Sequence, residues 1–152
     1  MLRHTRRALA TKVIIPRHRD GIRLQKGETL ADAKCVASRG GTVVHASVSW
    51  RWASADDALY FSGGGAPLHV DFRHPSSAAG LPPTTASGRE NVRASDQEIL
   101  AARNIDRALR PRFHGDGFLE TVRVDVEVAS SDGDGDVVTL GANAASCALA
   151  LA

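Results

Sequence analysis

The stretch from Gly80 to Leu109, GLPPTTASGRENVRASDQEILAARNIDRAL, joins a loop, a helix cap and a set of arginines able to grip an anion. A Gly/Pro/Thr-rich loop delivers Arg89 and Arg93, and Arg103, Arg107 and Arg110 follow at helical or near-helical spacing. Between them, Ser95-Asp96-Gln97-Glu98 fits the S-x-x-E capping box. In that motif the Ser hydroxyl takes one orphan N–H of a helix start while the Glu reaches back for another. A helix start carries partial positive charge and unpaired donors, so arginines on either side make it a ready seat for phosphate. Arg89, Arg93, Arg103, Arg107 and Arg110 are therefore candidate RNA- or phosphate-binding residues. The competing reading is a solvated amphipathic helix with ordinary surface arginines. Residue pattern alone does not separate the two.

Other groups that could do chemistry carry weaker signals. Ser62-Gly63-Gly64-Gly65 has the flexibility of a phosphate cradle, but neither G-x-x-x-x-G-K-S/T nor G-x-G-x-x-G is present, and it reads as a mobile insertion. Asp132-Gly133-Asp134-Gly135-Asp136 opens like a calcium loop. Val137 then stands where the glycine is required and Asn143 where the bidentate Glu belongs, so a tight turn is expected and no metal site is assigned. His45 falls in a strand pattern, and His69, His74 and His114 have no convincing partner, so no catalytic residue is assigned. Cys35 and Cys147 are far apart and lack metal-ligand spacing. They read as free thiols of a reducing compartment, with a disulfide as the lesser alternative.

These groups need a scaffold, and 152 residues suffice for one domain with a real core. No apolar run approaches the roughly 20 residues that span a membrane. Lys12 to Ile15, Gly21 to Leu24 and the segment around Cys35-Val36-Ala37 read as short strands. Thr42 to Trp50 puts Val44, Ala46, Val48 and Trp50 on one face by period two. Leu68 to Phe72 is a further strand, with either Val70 or the pair Leu68 and Phe72 inward. A helix from Ser95 to Leu109 should bury Ile99, Ala102, Ile105 and Leu109 before Pro111 stops it. Val122, Val124, Val126 and Val128 alternate with Arg123, Asp125 and Glu127 in the clearest strand. Ala142 to Ala152 is apolar nearly all round, hence a buried helix. The class is α+β, a mixed sheet packed with helices.

Charge is unevenly spread. Residues 1–26 carry eight basic side chains against Asp20 alone, whereas the remainder carries 11 basic and 16 acidic ones. Residues 1–20 form a basic leader whose start, MLRHTRRALAT, suits a mitochondrial presequence. A basic arm that touches RNA and a plain solvated terminus remain as alternatives.

From Ile22 onward the order of motifs resembles the first RNase PH-type domain of polynucleotide phosphorylase. The matching pieces are Gly40-Gly41-Thr42-Val43-Val44, Pro67 to Phe72, Ala78-Ala79-Gly80-Leu81-Pro82, Gly88-Arg89-Glu90 and Arg93 to Leu100. Ile105-Asp106-Arg107-Ala108-Leu109-Arg110-Pro111 with Phe113 is the most specific. The strand from Val122, the acidic turn and Gly141-Ala142-Asn143-Ala144-Ala145 complete the series. The resemblance implies an RNase PH-like fold (ribosomal protein S5 domain 2-like) over residues 21–152, in a domain that continues further. It also implies degradation of RNA from the 3′ end by phosphorolysis, a ring-shaped trimer with RNA in its channel, and KH and S1 modules elsewhere in the protein. In the family the phosphate and metal sites lie chiefly in a second tandem domain. This chain is therefore expected to hold no cofactor itself, with inorganic phosphate and magnesium belonging to the complete enzyme.

Departures bear on function. Where the family places two aromatics and two basic residues after the G-x-x-P loop, this chain has Ala86, Ser87, Gly88 and Arg89. Base stacking is lost there, at about 1–3 kcal/mol per base. Asn91-Val92 adds a residue before Arg93, Gly41 replaces an acid, and Ala108 replaces a proline. Two functions are expected from this balance. One is an RNA-binding portion of an organellar exoribonuclease that is not catalytic by itself. The other is a non-catalytic structural subunit of a mitochondrial ribonucleoprotein assembly. Partners would be RNA and further protein copies or subunits, with no membrane.

Overall fold

The computed structural model describes residues 12–15, 21–27, 30–52, 68–82, 93–113 and 120–152. Arg89, the glycine run at 63–65, His114 and the start of the leader lie outside the described residues. Among the described residues there are six strands: β1 (Lys12–Ile15), β2 (Ile22–Lys26), β3 (Ala33–Arg39), β4 (Thr42–Trp52), β5 (Leu68–Arg73) and β6 (Glu120–Ser130). Two helices, α1 (Asp96–Leu109) and α2 (Val137–Leu151), cover one face of the sheet.

The sheet order is β1-β2-β3-β4-β6-β5. All neighbours are antiparallel except β5 and β6, which run parallel with α1 in the connection between them. A parallel pair needs such a crossover, because a tight turn cannot reverse the chain twice. Alternation fixes which face is buried. Cys35, Ala37, Val44, Ala46, Val48, Val122, Val124, Val126 and Val128 all point to the helices and are closed to solvent. On β5, Leu68, Val70 and Phe72 share the helix-facing side by period two; Leu68 and Phe72 are buried and Val70 is half-buried, so the two alternatives posed from sequence fall on one face.

Two expectations about the helices need correction. On α1 the buried stripe is Ala101, Ile105 and Leu109, a clean i, i+4, i+8 row. Ile99 is 45% exposed and Ala102 half-buried. The helix leans on both β5 and α2, so the row between those two neighbours is the one covered, and Ile99 falls on its flank. Helix α2 starts at Val137, five residues before the alanine-rich run, because Asp136 caps it. The Asp136 carboxylate accepts the Val138 and Thr139 N–H groups at 3.0 and 3.3 Å, and the Thr139 hydroxyl as well. It is not buried all round. Leu140, Gly141, Ala144, Ala145 and Ala148 face the sheet, whereas Ser146 and Ala150 face water.

The acidic turn is a fastener. Asp132 accepts from the Gly41 N–H at 2.7 Å and from the buried Thr42 hydroxyl at 2.6 Å, tying the β6–α2 connection to the β3–β4 hairpin. A Cβ at Gly41 would stand 3.2 Å from both the Cβ and Oδ2 of Asp132, so an acidic side chain at 41 would meet this carboxylate head-on. The Thr42 hydroxyl first, then the Gly41 and Asp134 N–H groups, hold the Asp132 carboxyl at about 2, below its ordinary 3.8. A lowered carboxyl adds stability above its unfolded value and loses it as pH falls through the folded one. Asp132→Asn is accordingly expected to melt earlier than the wild type near neutral pH. The difference should shrink as pH falls from about 4 to about 2. Thermal melts along that series test this, and a difference independent of pH would contradict it.

Beyond β5 a 3-10 turn, Ser76–Ala79, ends at Gly80, whose φ of 70° is the left-handed conformation that glycine adopts freely. The Ala78 carbonyl accepts the Ser131 N–H at 2.8 Å, which docks the turn on the end of β6. The turn thereby fixes where the Gly/Pro-rich loop leaves the sheet.

Candidate nucleic-acid interface

Helix α1 opens with the expected capping box. The Ser95 hydroxyl oxygen accepts the Glu98 N–H at 3.3 Å, and Glu98 Oε2 accepts the Ser95 N–H at 2.7 Å. Glu98 also reaches outside its own helix, where its Oε1 accepts the His74 N–H at 2.7 Å. One carboxylate thus pins the helix start to the end of β5. Burial raises the Glu98 carboxyl, but the N–H groups of His74 and Ser95, the Ser95 hydroxyl and the charge of Arg73 outweigh it and leave the group lowered. Asp96 adds a second acid in the first turn. The anion at this helix start is therefore the chain's own, and a nucleic-acid phosphate must be met by the flanking arginines.

Those arginines divide into two kinds. Arg110 is committed to the fold: its guanidinium makes a bidentate pair with Asp106, at 2.9 and 2.7 Å, and donates to the Leu68 carbonyl at 3.1 Å. It clamps the far end of α1 to the beginning of β5, as Glu98 clamps the near end. The backbone at the start of β5 and just past its end is thus held by side chains from the two ends of α1. Arg93, Arg103 and Arg107 are exposed, and among the described residues no ion pair engages them. Arg103 and Arg107 share a face by i, i+4 spacing, and Arg93 lies just ahead of the cap. Arg112, exposed in the 3-10 turn Arg110–Arg112, is a further cation beyond the five residues singled out from sequence, and it lines a groove between α1 and α2. The R-P-R run after the helix was the available signal for it.

Beside this face, Val70, Glu98, Ile99, Ala102, Arg103 and Asp106 help line a groove of about 270 Å³ between α1 and β5. On the opposite face of the sheet, Arg123 bonds Asp125 at 2.9 Å and Asp71 at 3.0 Å, and His69 lies 3.8 Å from Asp71. These are exposed pairs of the kind worth at most about 1 kcal/mol. His45, on that same face opposite Glu127, is pushed down by burial and then by Lys34, against a smaller upward pull from Glu127. Among the described residues no group of three His, Cys, Asp or Glu side chains is placed to hold a metal ion. No helix among them is long and apolar enough to cross a membrane.

With this geometry in place, the comparisons are specific. Residues 22–152 match the model of the 3′ exoribonuclease family, domain 1. The chain is 43% identical over 120 residues to the polyribonucleotide nucleotidyltransferase of Chlorobium limicola, and 40% identical over 120 residues to that of Chlorobaculum tepidum. Each alignment covers 78% of this chain, which spans only about 15% of the length of either relative. In structure it is similar to a chain of the Archaeoglobus fulgidus exosome with RNA bound to the active site. That likeness has a TM-score of 0.58 at 19% identity, over 92% of this chain and 50% of that one. Its mixed sheet with two helices on one face is the RNase PH fold. The chain belongs to the 3′ exoribonuclease family, whose domain 1 it matches over residues 22–152.

Proposed function

We propose that this chain supplies the RNA-guiding first domain of a polynucleotide phosphorylase-like 3′–5′ exoribonuclease in mitochondrial RNA processing and degradation, and that it is not catalytic by itself. The observation that carries this reading is the split among the arginines. Arg110 is consumed by a bidentate carboxylate, whereas Arg103 and Arg107 stand exposed along a helix held at both ends, with Arg93 exposed just ahead of its cap. A rigid element presenting unpaired guanidinium groups suits an RNA backbone, which needs charge at fixed spacing more than base readout. Phosphorolysis, with its inorganic phosphate and magnesium, falls to residues outside those described, supplied by further copies or subunits of an oligomeric assembly. The basic leader supports mitochondria as the compartment.

Two measurements test it. The chain incubated with poly(A), inorganic phosphate and magnesium is expected to bind the RNA and release no nucleoside diphosphate. Release by the chain alone would defeat the reading. Replacing both Arg93 and Arg107 by Ala should lower the slope of log affinity against log salt by roughly 1.4, at about 0.7 per single-strand phosphate contact. An unchanged slope would make them ordinary surface charges.

One observation favours a second reading, a non-catalytic structural subunit of a mitochondrial ribonucleoprotein. Ala86 and Ser87 stand where stacking aromatics are expected. Stable incorporation into such a particle, with no phosphorolysis after the second tandem domain is added, would decide for it.

A further inference from the structure

The chain has two cysteines, widely separated in sequence, and the fold brings them together. Cys35 sits on β3 among the strand residues that face the helices and is closed to solvent. Cys147 lies on the C-terminal half of α2, half-buried and packed on the same core. Cys147 packs on the core cluster that contains Cys35 and is the side chain that acts on the Cys35 thiol, across the contact by which α2 covers β3. Both are free thiols. A lone buried cysteine is an inert small hydrophobe, but two in contact from different elements form a site for oxidation.

We propose that Cys35 and Cys147 are a reversible redox pair, closing a disulfide between β3 and α2 when a low-molecular-weight disulfide such as oxidised glutathione accumulates. The electrons balance in two exchanges. The Cys147 thiolate, on the accessible side, attacks one sulfur of the glutathione disulfide; a mixed disulfide forms at Cys147 and one glutathione thiolate leaves. Cys35 then gives up its proton and attacks the Cys147 sulfur, forming the Cys35–Cys147 bond and expelling the second glutathione. Two protein thiols are oxidised, and one disulfide is reduced to two thiols. Burial first, and then the Cys147 thiol, push the Cys35 thiol up to about 12, so it stays protonated. The second exchange is therefore the slow one, and the mixed disulfide is the species that builds up first.

The bond would tie the helix that closes the core to a strand met early in the chain. It would thereby enclose most of the domain in one covalent loop, which restricts the unfolded chain. This proposal goes beyond the RNA-binding reading and stands or falls independently of it.

The test uses the full chain with oxidised glutathione, followed by peptide mapping without reduction and by thermal melting. A Cys35–Cys147 peptide pair is expected, with a rise in Tm of about 5–15 °C that excess reduced glutathione reverses. Cys35→Ser should stop at glutathione on Cys147, and Cys147→Ser should remain unmodified. Lasting glutathione on wild-type Cys147 with Cys35 still a thiol would overturn the proposal. A Cys147–Cys147 cross-link between two chains would do the same, as would no reaction at either thiol. Because the wild-type map is decisive by itself, a variant that fails to fold does not obscure the outcome.

Discussion

Ile105→Ala should destabilise the domain by about 2–5 kcal/mol, the range for removing a large aliphatic side chain from a closed core. Ile105 is the largest of the side chains wholly closed to solvent, and its Cδ1 reaches the point where α1, α2, β5 and β6 converge. The upper half of the range is expected because the surroundings cannot easily collapse. Helix α1 is pinned to β5 at one end by Glu98 and at the other by Arg110, so it cannot slide inward to fill the space. Urea unfolding measures the loss. A cost below about 1 kcal/mol would mean that the convergence point is looser than its geometry indicates.

Gly141→Leu attacks the same point from the opposite side and should cost about 1–2 kcal/mol net, the upper part of the overpacking range less the helix-propensity gain. A single Cβ at Gly141 would already stand 3.1 Å from Val126 Cγ1 and 3.4 Å from both Ile105 Cδ1 and Phe72 Cε2. Leu adds three more carbons with nowhere to go. Replacing a mid-helix glycine returns only about 1 kcal/mol of helix propensity. For Gly141→Ala the same gain roughly matches the small shift demanded of Val126, so that change should be near neutral. The two sites are also coupled, because Ile105→Ala vacates space beside Gly141. Combining Ile105→Ala with Gly141→Leu should cost about 0.5–3 kcal/mol less than the sum of the single changes, as a double-mutant cycle would show. Strict additivity would rule out a shared cavity.

Patterns with a single strong period were legible in the sequence. Val122 to Val128 is buried on one face, Val44, Ala46 and Val48 likewise, and the capping box at Ser95 forms with both of its bonds. Where the pattern was mixed, tertiary neighbours decided. The stripe expected on α1 ran through Ile99 and Ala102, and the position of α2 moved it to Ala101, Ile105 and Leu109. The start of α2 was missed because Val137, Val138 and Thr139 are β-branched and look like strand, while the cap that starts the helix sat in a turn already accounted for. Among the site residues, spacing placed Arg103, Arg107 and Arg110 on one helix. It could not tell that Asp106 and the Leu68 carbonyl would claim Arg110, since Leu68 is 42 positions away. The meeting of Cys35 with Cys147 was hidden in the same manner, for it depends on how α2 lies across β3.

The placement of β6 has a consequence for the order of events during synthesis. Leaving the ribosome, β1 to β4 can pair successively as a meander, each strand beside the one before it. β5 emerges next without a neighbour, since its place is at the far margin and the gap beside β4 is filled only when residues 120–130 arrive. The last of the described strands therefore occupies an interior position, joining two partners at once over long sequence separations. Such late, non-local closure slows folding and leaves two unpaired strand margins open in the nascent protein until α2 seals the core.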